Sequence, residues 1–273
     1  MANAEFEDRD LLINEIERNL WETWANWGRG PGCVLHDESD VLWFETPLPI
    51  IPYNGVLRFS VSNDPEHQVN AIINRFQDRR VPFIWVLHPS SQPSDLSHRL
   101  VDRGLKDVEP IYGMARSLAS LPDLPALPSN IQVRKVEDEH DANALIQFAS
   151  WRWSIPEEHQ PAYSKIVSQG FRFGMPEAKA HMWQAWREDQ PIAKVALYLG
   201  SRSVGIYAVA TRSEARRLGL ASFLTITALH YARDAGYHLA VLHSTPMAQR
   251  LYKSLGFNSI AEFRLFASDD VHI

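Results

Sequence analysis

Apolar residues recur along this chain with two periods, and the switches between them outline the elements. Leu11, Leu12, Ile16, Leu20, Trp24 and Trp27 fall at helical spacing, as in a helix that buries one face. The acidic residues 1–20 join that helix. Strand-like runs follow at Val41 to Glu45 and Val56 to Val61, separated by a Pro-broken stretch, Thr46 to Asn54. A helical pattern spans Glu66 to Arg79, an apolar strand runs from Pro82 to Leu87, and a helix-like Asp95 to Arg103 ends at Gly104-Leu105. Farther on, a short strand, Ile131 to Val136, precedes a helix over Asp138 to Trp153. Ser154 to Gly174 is rich in Pro, Glu, His and aromatics. Strands at His181 to Arg187 and Ala193 to Leu199 flank the turn Arg187-Glu188-Asp189-Gln190. Val204 to Ala210 is a further apolar strand, and Thr211 to Glu214 a polar turn. Leu220, Phe223, Leu224, Ala228 and Tyr231 then mark a helix that Gly236 closes. After the strand Leu239 to Leu242, Thr245 caps and Pro246 opens a last helix through Met247, Leu251 and Leu255, ended by Gly256-Phe257.

The pattern contains a repeat. Trp85-Val86-Leu87-His88-Pro89-Ser90, a helix and Gly104-Leu105 parallel Ala240-Val241-Leu242-His243-Ser244-Thr245, a helix and Gly256-Phe257. Such self-similarity implies two related domains. The copies differ where chemistry would sit. Ser62-Asn63-Asp64-Pro65-Glu66-His67 has neither glycine nor an arginine pair, and Leu100 stands where the second copy has Tyr252. Between the copies, Pro122, Pro125 and Pro128 favour an extended segment. The expected division is a degenerate domain at 1–117, a linker at 118–130 and a second domain at 131–273.

Composition narrows the function classes. The 273 residues are enough for two cores, and 45% hydrophobic with 22% charged residues is the composition of a soluble globular protein. A net charge of −6 argues against a general nucleic-acid binder. Cys33 is the single cysteine, so no intrachain disulfide forms, which fits a reducing cytoplasm. Residues 1–20 lack the blocks of a signal peptide, and Val81 to Leu87 is too short to cross a bilayer. The expectation is a cytoplasmic protein without nucleic-acid or membrane partners; a homodimer stays open. No Walker loop, three-glycine dinucleotide fingerprint, Gly-x-Ser-x-Gly elbow, His-Glu-x-x-His or paired-cysteine motif is present, and the eleven histidines show no ligand spacing. No metal is expected.

The chemistry concentrates in Arg216-Arg217-Leu218-Gly219-Leu220-Ala221. Gly219 and small Ala221 let backbone approach a ligand. A helix starting there turns unpaired N–H groups and the positive end of its dipole outward, with two arginines beside it. A strand, a tight Arg/Gly turn and a helix N-terminus suggest a pyrophosphate cradle.

These residues resemble the acetyl-CoA-binding segment, Arg/Gln-x-x-Gly-x-Gly/Ala, of the GNAT N-acetyltransferase superfamily. About 30 residues later, Leu251-Tyr252-Lys253-Ser254-Leu255-Gly256-Phe257 resembles its Leu-Tyr-x-x-x-Gly-Phe signature. The resemblance implies an α/β fold of two tandem GNAT-like domains, each a mixed, mostly antiparallel twisted sheet flanked by helices, the first degenerate. It implies acetyl-CoA as cofactor, held by Tyr207, Ala208, Val209 and Ala210 on a splayed strand and by Arg216, Arg217, Leu218, Gly219, Leu220, Ala221 and Ser222. Ser244 stands where many relatives keep an asparagine. An N–H near Val209 is the implied oxyanion donor, and Tyr252 the implied acid for the departing thiolate. For the base, some relatives have a glutamate where this chain has Ser203. His243 has a suitable intrinsic pKa, but His88 occupies the same place in the cradle-less half, and a water chain would serve as well. Trp151, Trp153, Glu157, Glu158 and Tyr163 would suit a cationic amine, or form a solvated loop over a hydrophobic floor. The expected function is acetyl transfer from acetyl-CoA to a primary amine of a small molecule. A catalytically silent acyl-CoA-binding or protein-interaction module is the alternative.

Overall fold

The computed structural model describes residues 8–137, 139–173, 175 and 177–269. The amphipathic periods become α1 (Arg9–Trp24), α2 (Pro65–Arg79), α3 (Leu96–Asp102), α4 (Glu139–Trp153), α5 (Gln160–Phe171), α6 (Leu220–Asp234) and α7 (Gln249–Ser254). The extended runs become β1 (Val34–Asp37), β2 (Val41–Glu45), β3 (Gly55–Phe59), β4 (Ile84–Leu87), β5 (Lys106–Ser117), β6 (Ile131–Lys135), β7 (Ala180–Arg187), β8 (Gln190–Leu199), β9 (Val204–Thr211), β10 (Leu239–Ser244) and β11 (Asn258–Ala267). Residues 1–7, the helix start expected at Asp138, Gly174 and residues 270–273 lie outside the described residues. No helix among the described residues is long and apolar enough to cross a membrane.

Contacts gather the chain into two units. One holds the residues through Asn19, Tyr112–Pro156 and Phe171–Ile260; the other holds Leu20–Ile111, Glu157–Gly170 and the residues from Ala261 on. This grouping does not follow the expected division at 118–130, because each unit is completed by a segment from the far end of the chain. The expected linker has neither helix nor strand, yet it is no free spacer. Leu118 is buried, and Leu121 and Leu127 pack on the first unit's core. Arg116 donates to the carbonyls of Leu255, Ser117 and Ser120.

In the second unit, β1, β2 and β3 form antiparallel ladders, β3 and β4 pair in parallel, and β11 closes antiparallel on β4. α2 buries Val69, Ile72, Ile73 and Phe76 at helical spacing against Trp43, Phe59, Phe83 and Trp85. Elements to which the sequence analysis gave no range include β1, β5, α5 and β11. β1 is only four residues long and follows a Gly/Pro turn. β5 carries Pro110 and Gly113, which mask its extended character. α5 lies within Ser154 to Gly174, which was given no element, because Tyr163, Ile166 and Val167 form a buried stripe that the polar flanks obscured.

The first unit is a mixed sheet ordered β5-β10-β9-β8-β7-β6, with β9 and β10 parallel and the other pairs antiparallel. Side chains alternate across it. Ala193, Val195, Leu197, Val204 and Ile206 face the α6 stripe of Leu220, Leu224, Ala228 and Leu229. On the opposite face Met182, Ala196 and Tyr207 meet Leu145 of α4.

The repeat read from sequence is visible in backbone detail. At the end of α3 the Gly104 N–H donates to Val101 O (2.9 Å) and the Leu105 N–H to Leu100 O (3.1 Å); at the end of α7 the Gly256 N–H donates to Lys253 O (3.0 Å) and the Phe257 N–H to Tyr252 O (3.0 Å). Both glycines are left-handed, with φ of 84° and 82°, where a Cβ is disfavoured. Both units also start their crossover from a short parallel pair, Gly55 with Ile84 in one and Val204 with Ala240 in the other.

Candidate functional site

The strand β9 is where the first unit's sheet opens. Its parallel register with β10 covers Val204, Gly205 and Ile206 opposite Ala240, Val241 and Leu242, and then stops. β9 continues to Thr211, held from there by β8 alone. Within that stretch Ala196 pairs with Tyr207 but Lys194 pairs with Ala210, so two residues, Ala208 and Val209, oppose Val195. That is a β-bulge, and Ala208 within it takes a left-handed φ of 50°. A bulge re-aims backbone N–H groups out of the ladder, beside a strand edge that is already unpaired.

Gly219 lies beyond the end of β9. A single 3-10 turn, Ser213–Ala215, leads to exposed Arg216 and Arg217, and Gly219 takes φ 77° as the N-cap of α6. No side chain caps this helix. Its ladder begins with the Phe223 N–H donating to Gly219 O (2.9 Å), so the N–H groups of Leu220, Ala221 and Ser222 precede it and point along the axis. A Cβ on Gly219 would meet nothing within 4 Å; open space surrounds the turn. The corresponding helix in the second unit, α2, is closed to anions. Asp64 caps it with a carboxylate that accepts from the His67 N–H (3.3 Å), and Pro65 occupies the first turn. One helix supplies its own negative charge, and the other leaves its end bare, two residues after Arg216-Arg217.

Tyr252 is 7% exposed on α7 and packs edge-on against Phe257 at 6.0 Å. Burial pushes its phenol pKa up to about 12, so it keeps its proton as a donor throughout the physiological range. His243, expected as a base, has both ring nitrogens buried, and burial drives its pKa down to about 3. At neutral pH it is an uncharged imidazole of low basicity. Ser244 is buried and spends its hydroxyl on Thr245 O (2.8 Å). Ser203 is likewise buried.

The expected acceptor residues are divided between the two units. Trp151 and Trp153 belong to the first unit, where Trp151 is 45% exposed and Arg212 stacks on its ring at 4.4 Å. Glu157, Glu158 and Tyr163 belong to the second. There the two glutamates are exposed, and Tyr163 is buried among Trp27 and Tyr53.

Sequence reasoning missed Asn19. Its amide donates to Ser203 O (2.8 Å), and the Tyr207 hydroxyl donates to its Oδ1 (2.8 Å). This brace fixes the strand that opens the sheet, using a residue of α1 far away in sequence. Gly205 lies beneath it. A Cβ there would overlap Asn19 Oδ1 and the Tyr207 ring. Gly205→Ala is therefore expected to cost about 1–3 kcal/mol, from overpacking and the severed buried bond, as measured by urea unfolding. An unchanged midpoint would dismiss the brace. A lone polar residue on a helix carries no signal of such a long-range role. Lys194, Gln184 and Phe148 were also missed. Only Lys194, a charge inside an apolar strand, could have drawn notice.

Among the described residues no group of three or more His, Cys, Asp or Glu side chains is placed to hold a metal ion.

Comparisons with known proteins agree with this geometry. Residues 144–257 match the acetyltransferase (GNAT) family, a span that includes the bulge, the bare helix end and Tyr252. A mycothiol acetyltransferase of Actinosynnema mirum is 26% identical over 204 residues, 69% of this chain and 64% of that protein. The chain thus spans somewhat less than two thirds of that curated relative. Among solved structures, a GCN5-related N-acetyltransferase from Kribbella flavida superposes with a TM-score of 0.67 at 17% identity, covering 96% of this chain and 97% of that one. A tandem GNAT protein from the clavulanic acid biosynthesis pathway gives 0.61 at 12% identity, covering 100% and 98%. At such identities the likeness is one of fold. Residues 144–257 thus resemble the acetyltransferase (GNAT) family, and the chain shares the fold of tandem GNAT proteins.

Proposed function

We propose that the protein is an N-acetyltransferase that moves an acetyl group from acetyl-CoA to a primary amine of a small molecule. The observation that carries this reading is the adjacency of an unpaired, bulged strand edge at Tyr207 to Ala210 and an uncapped helix end at Gly219. The strand edge offers backbone groups to an extended amide arm. The N–H groups of Leu220, Ala221 and Ser222, with Arg216 and Arg217, suit a pyrophosphate. When bound, acetyl-CoA supplies the activated acetyl group. A backbone N–H at the bulge meets the negative charge that develops on the carbonyl oxygen. Once the amine nitrogen has bonded to the carbonyl carbon, Tyr252 would give its phenolic proton to the departing sulfur and would regain a proton from water. The amine's surplus proton leaves to water, since His243 is too weak a base to take it.

That lack of a side-chain base is also what favours the second reading, a catalytically silent acyl-CoA-binding or interaction module. Calorimetric titration with acetyl-CoA tests what both share. Binding near micromolar, about −8 kcal/mol, is expected, and no measurable binding would sink both. Turnover on a panel of amines separates them, because the module binds the cofactor and acetylates nothing.

A further inference from the structure

On the α4 face of the first unit's sheet, a buried polar row crosses three strands. Gln184 of β7 is the register partner of Lys194 of β8, and Lys194 is the register partner of Ala210 of β9. Directly opposed residues of antiparallel strands point to the same face. Lys194 is 4% exposed and Gln184 is fully buried. Among the described residues neither amide atom of Gln184 has a hydrogen-bond partner.

The charges around Lys194 make its burial more costly. Its ammonium stands over the Phe148 ring at 5.6 Å, which replaces only part of the lost hydration. Arg212 stacks on the same ring at 5.4 Å and on Trp151 at 4.4 Å. Arg152 repels Lys194, and with burial as the larger cause its pKa falls to about 8. Among the described residues no carboxylate pairs with it. A buried cation without a counter-charge, beside a buried amide without partners, is unfavourable for folding alone. The same groups suit a ligand that brings an oxyanion. Lys194 and the Gln184 amide nitrogen would donate to it, and the Gln184 carbonyl would accept from a neighbouring N–H.

We propose that Lys194 and Gln184 form an anion subsite for the acceptor, so that the amine substrate carries a carboxylate or phosphate a few bonds from its nitrogen. The distance fits, because Lys194 lies one inter-strand spacing, about 5 Å, from Ala210 and the bulge beside it. α-Amino acids and aminoalkyl phosphates belong to this class. The assignment rests on the acetyl-transfer reading for its meaning, but not for its test.

The test is equilibrium binding to the CoA-saturated full chain. The probes are matched pairs: amino acids against their α-amides, and O-phosphoethanolamine against ethanolamine. At least one oxyanion amine should bind roughly 10-fold or more tighter than its neutral counterpart, and Lys194→Met should erase that preference, as expected for a hydrogen bond to a charged group. Acetyl-CoA affinity should stay within about threefold in the variant, and its melting temperature should not fall, because an unpaired buried charge has been removed. No oxyanion preference in the parent, no binding by any pair, or a preference that survives Lys194→Met would each overturn the subsite. The parent comparison decides even if the variant does not fold. Carboxylate and phosphate pairs responding differently tells the two sources apart. Acetylation followed on the same panel keeps the readings separate. Oxyanion-selective binding without N-acetylation leaves the subsite and removes the transferase; acetylation without oxyanion preference does the reverse.

Discussion

Arg217→Glu combined with Gly219→Asp is expected to weaken acetyl-CoA binding by about 10²–10⁴-fold, read by calorimetry against the parent. Hydrogen bonds to charged groups are each worth about 1.5–3 kcal/mol, and the double variant removes one cationic partner and reverses its sign. The new aspartate at position 219 would also cap α6 as Asp64 caps α2, filling the helix end with the protein's own carboxylate. The fold should survive. Gly219 has φ 77°, no atom lies within 4 Å of its built Cβ, and Asp tolerates the left-handed region at a cost of about 1 kcal/mol. Affinity within threefold of the parent, in a variant that melts normally, would mean that the helix end is not the cradle.

Tyr252→Phe is expected to lower kcat by about 10²–10⁴-fold, the usual worth of a positioned proton donor, while leaving the Kd for acetyl-CoA unchanged. Phenylalanine keeps the buried ring and its edge contact with Phe257, and the α7 terminus is capped through the Tyr252 carbonyl, which the change does not touch. A loss of kcat therefore reports the hydroxyl. The pH profile adds a signed check. With Tyr252 raised to about 12 and His243 lowered to about 3, neither changes charge between pH 6 and 9. The rate should rise with pH as the acceptor amine sheds its own proton, with no inflection from His243. A kcat for Tyr252→Phe within threefold of the parent would remove the acid role, and an inflection near pH 6.5 that disappears in His243→Gln would restore the histidine as base.

The comparison of the two units explains why a cradle is expected in only one of them. The difference between Ser62-Asn63-Asp64-Pro65-Glu66-His67 and Arg216-Arg217-Leu218-Gly219-Leu220-Ala221 is local. It concerns which residues can cap a helix, tolerate positive φ or lack an N–H. The same holds for Gly104 and Gly256, whose left-handed conformations follow from their places after amphipathic helices. β5 and α5 were obscured by local punctuation, Pro110 and Gly113 in one and polar flanks in the other, which long-range pairing and burial overrode.

By itself, then, the sequence determined the helices other than α5 and most strands, the repeat, the bare helix end at Gly219 and the place of Tyr252. Each depends on backbone preferences within a few residues. The tertiary structure alone decided the bulge at Ala208, the brace from Asn19 to Tyr207, the burial that makes His243 a weak base, and the alignment of Gln184, Lys194 and Ala210. These follow from strand register and from contacts between residues distant in the chain. A slip of one residue in β8 would turn Lys194 to the opposite face of the sheet, and nothing within the strand's own sequence specifies which partner it meets.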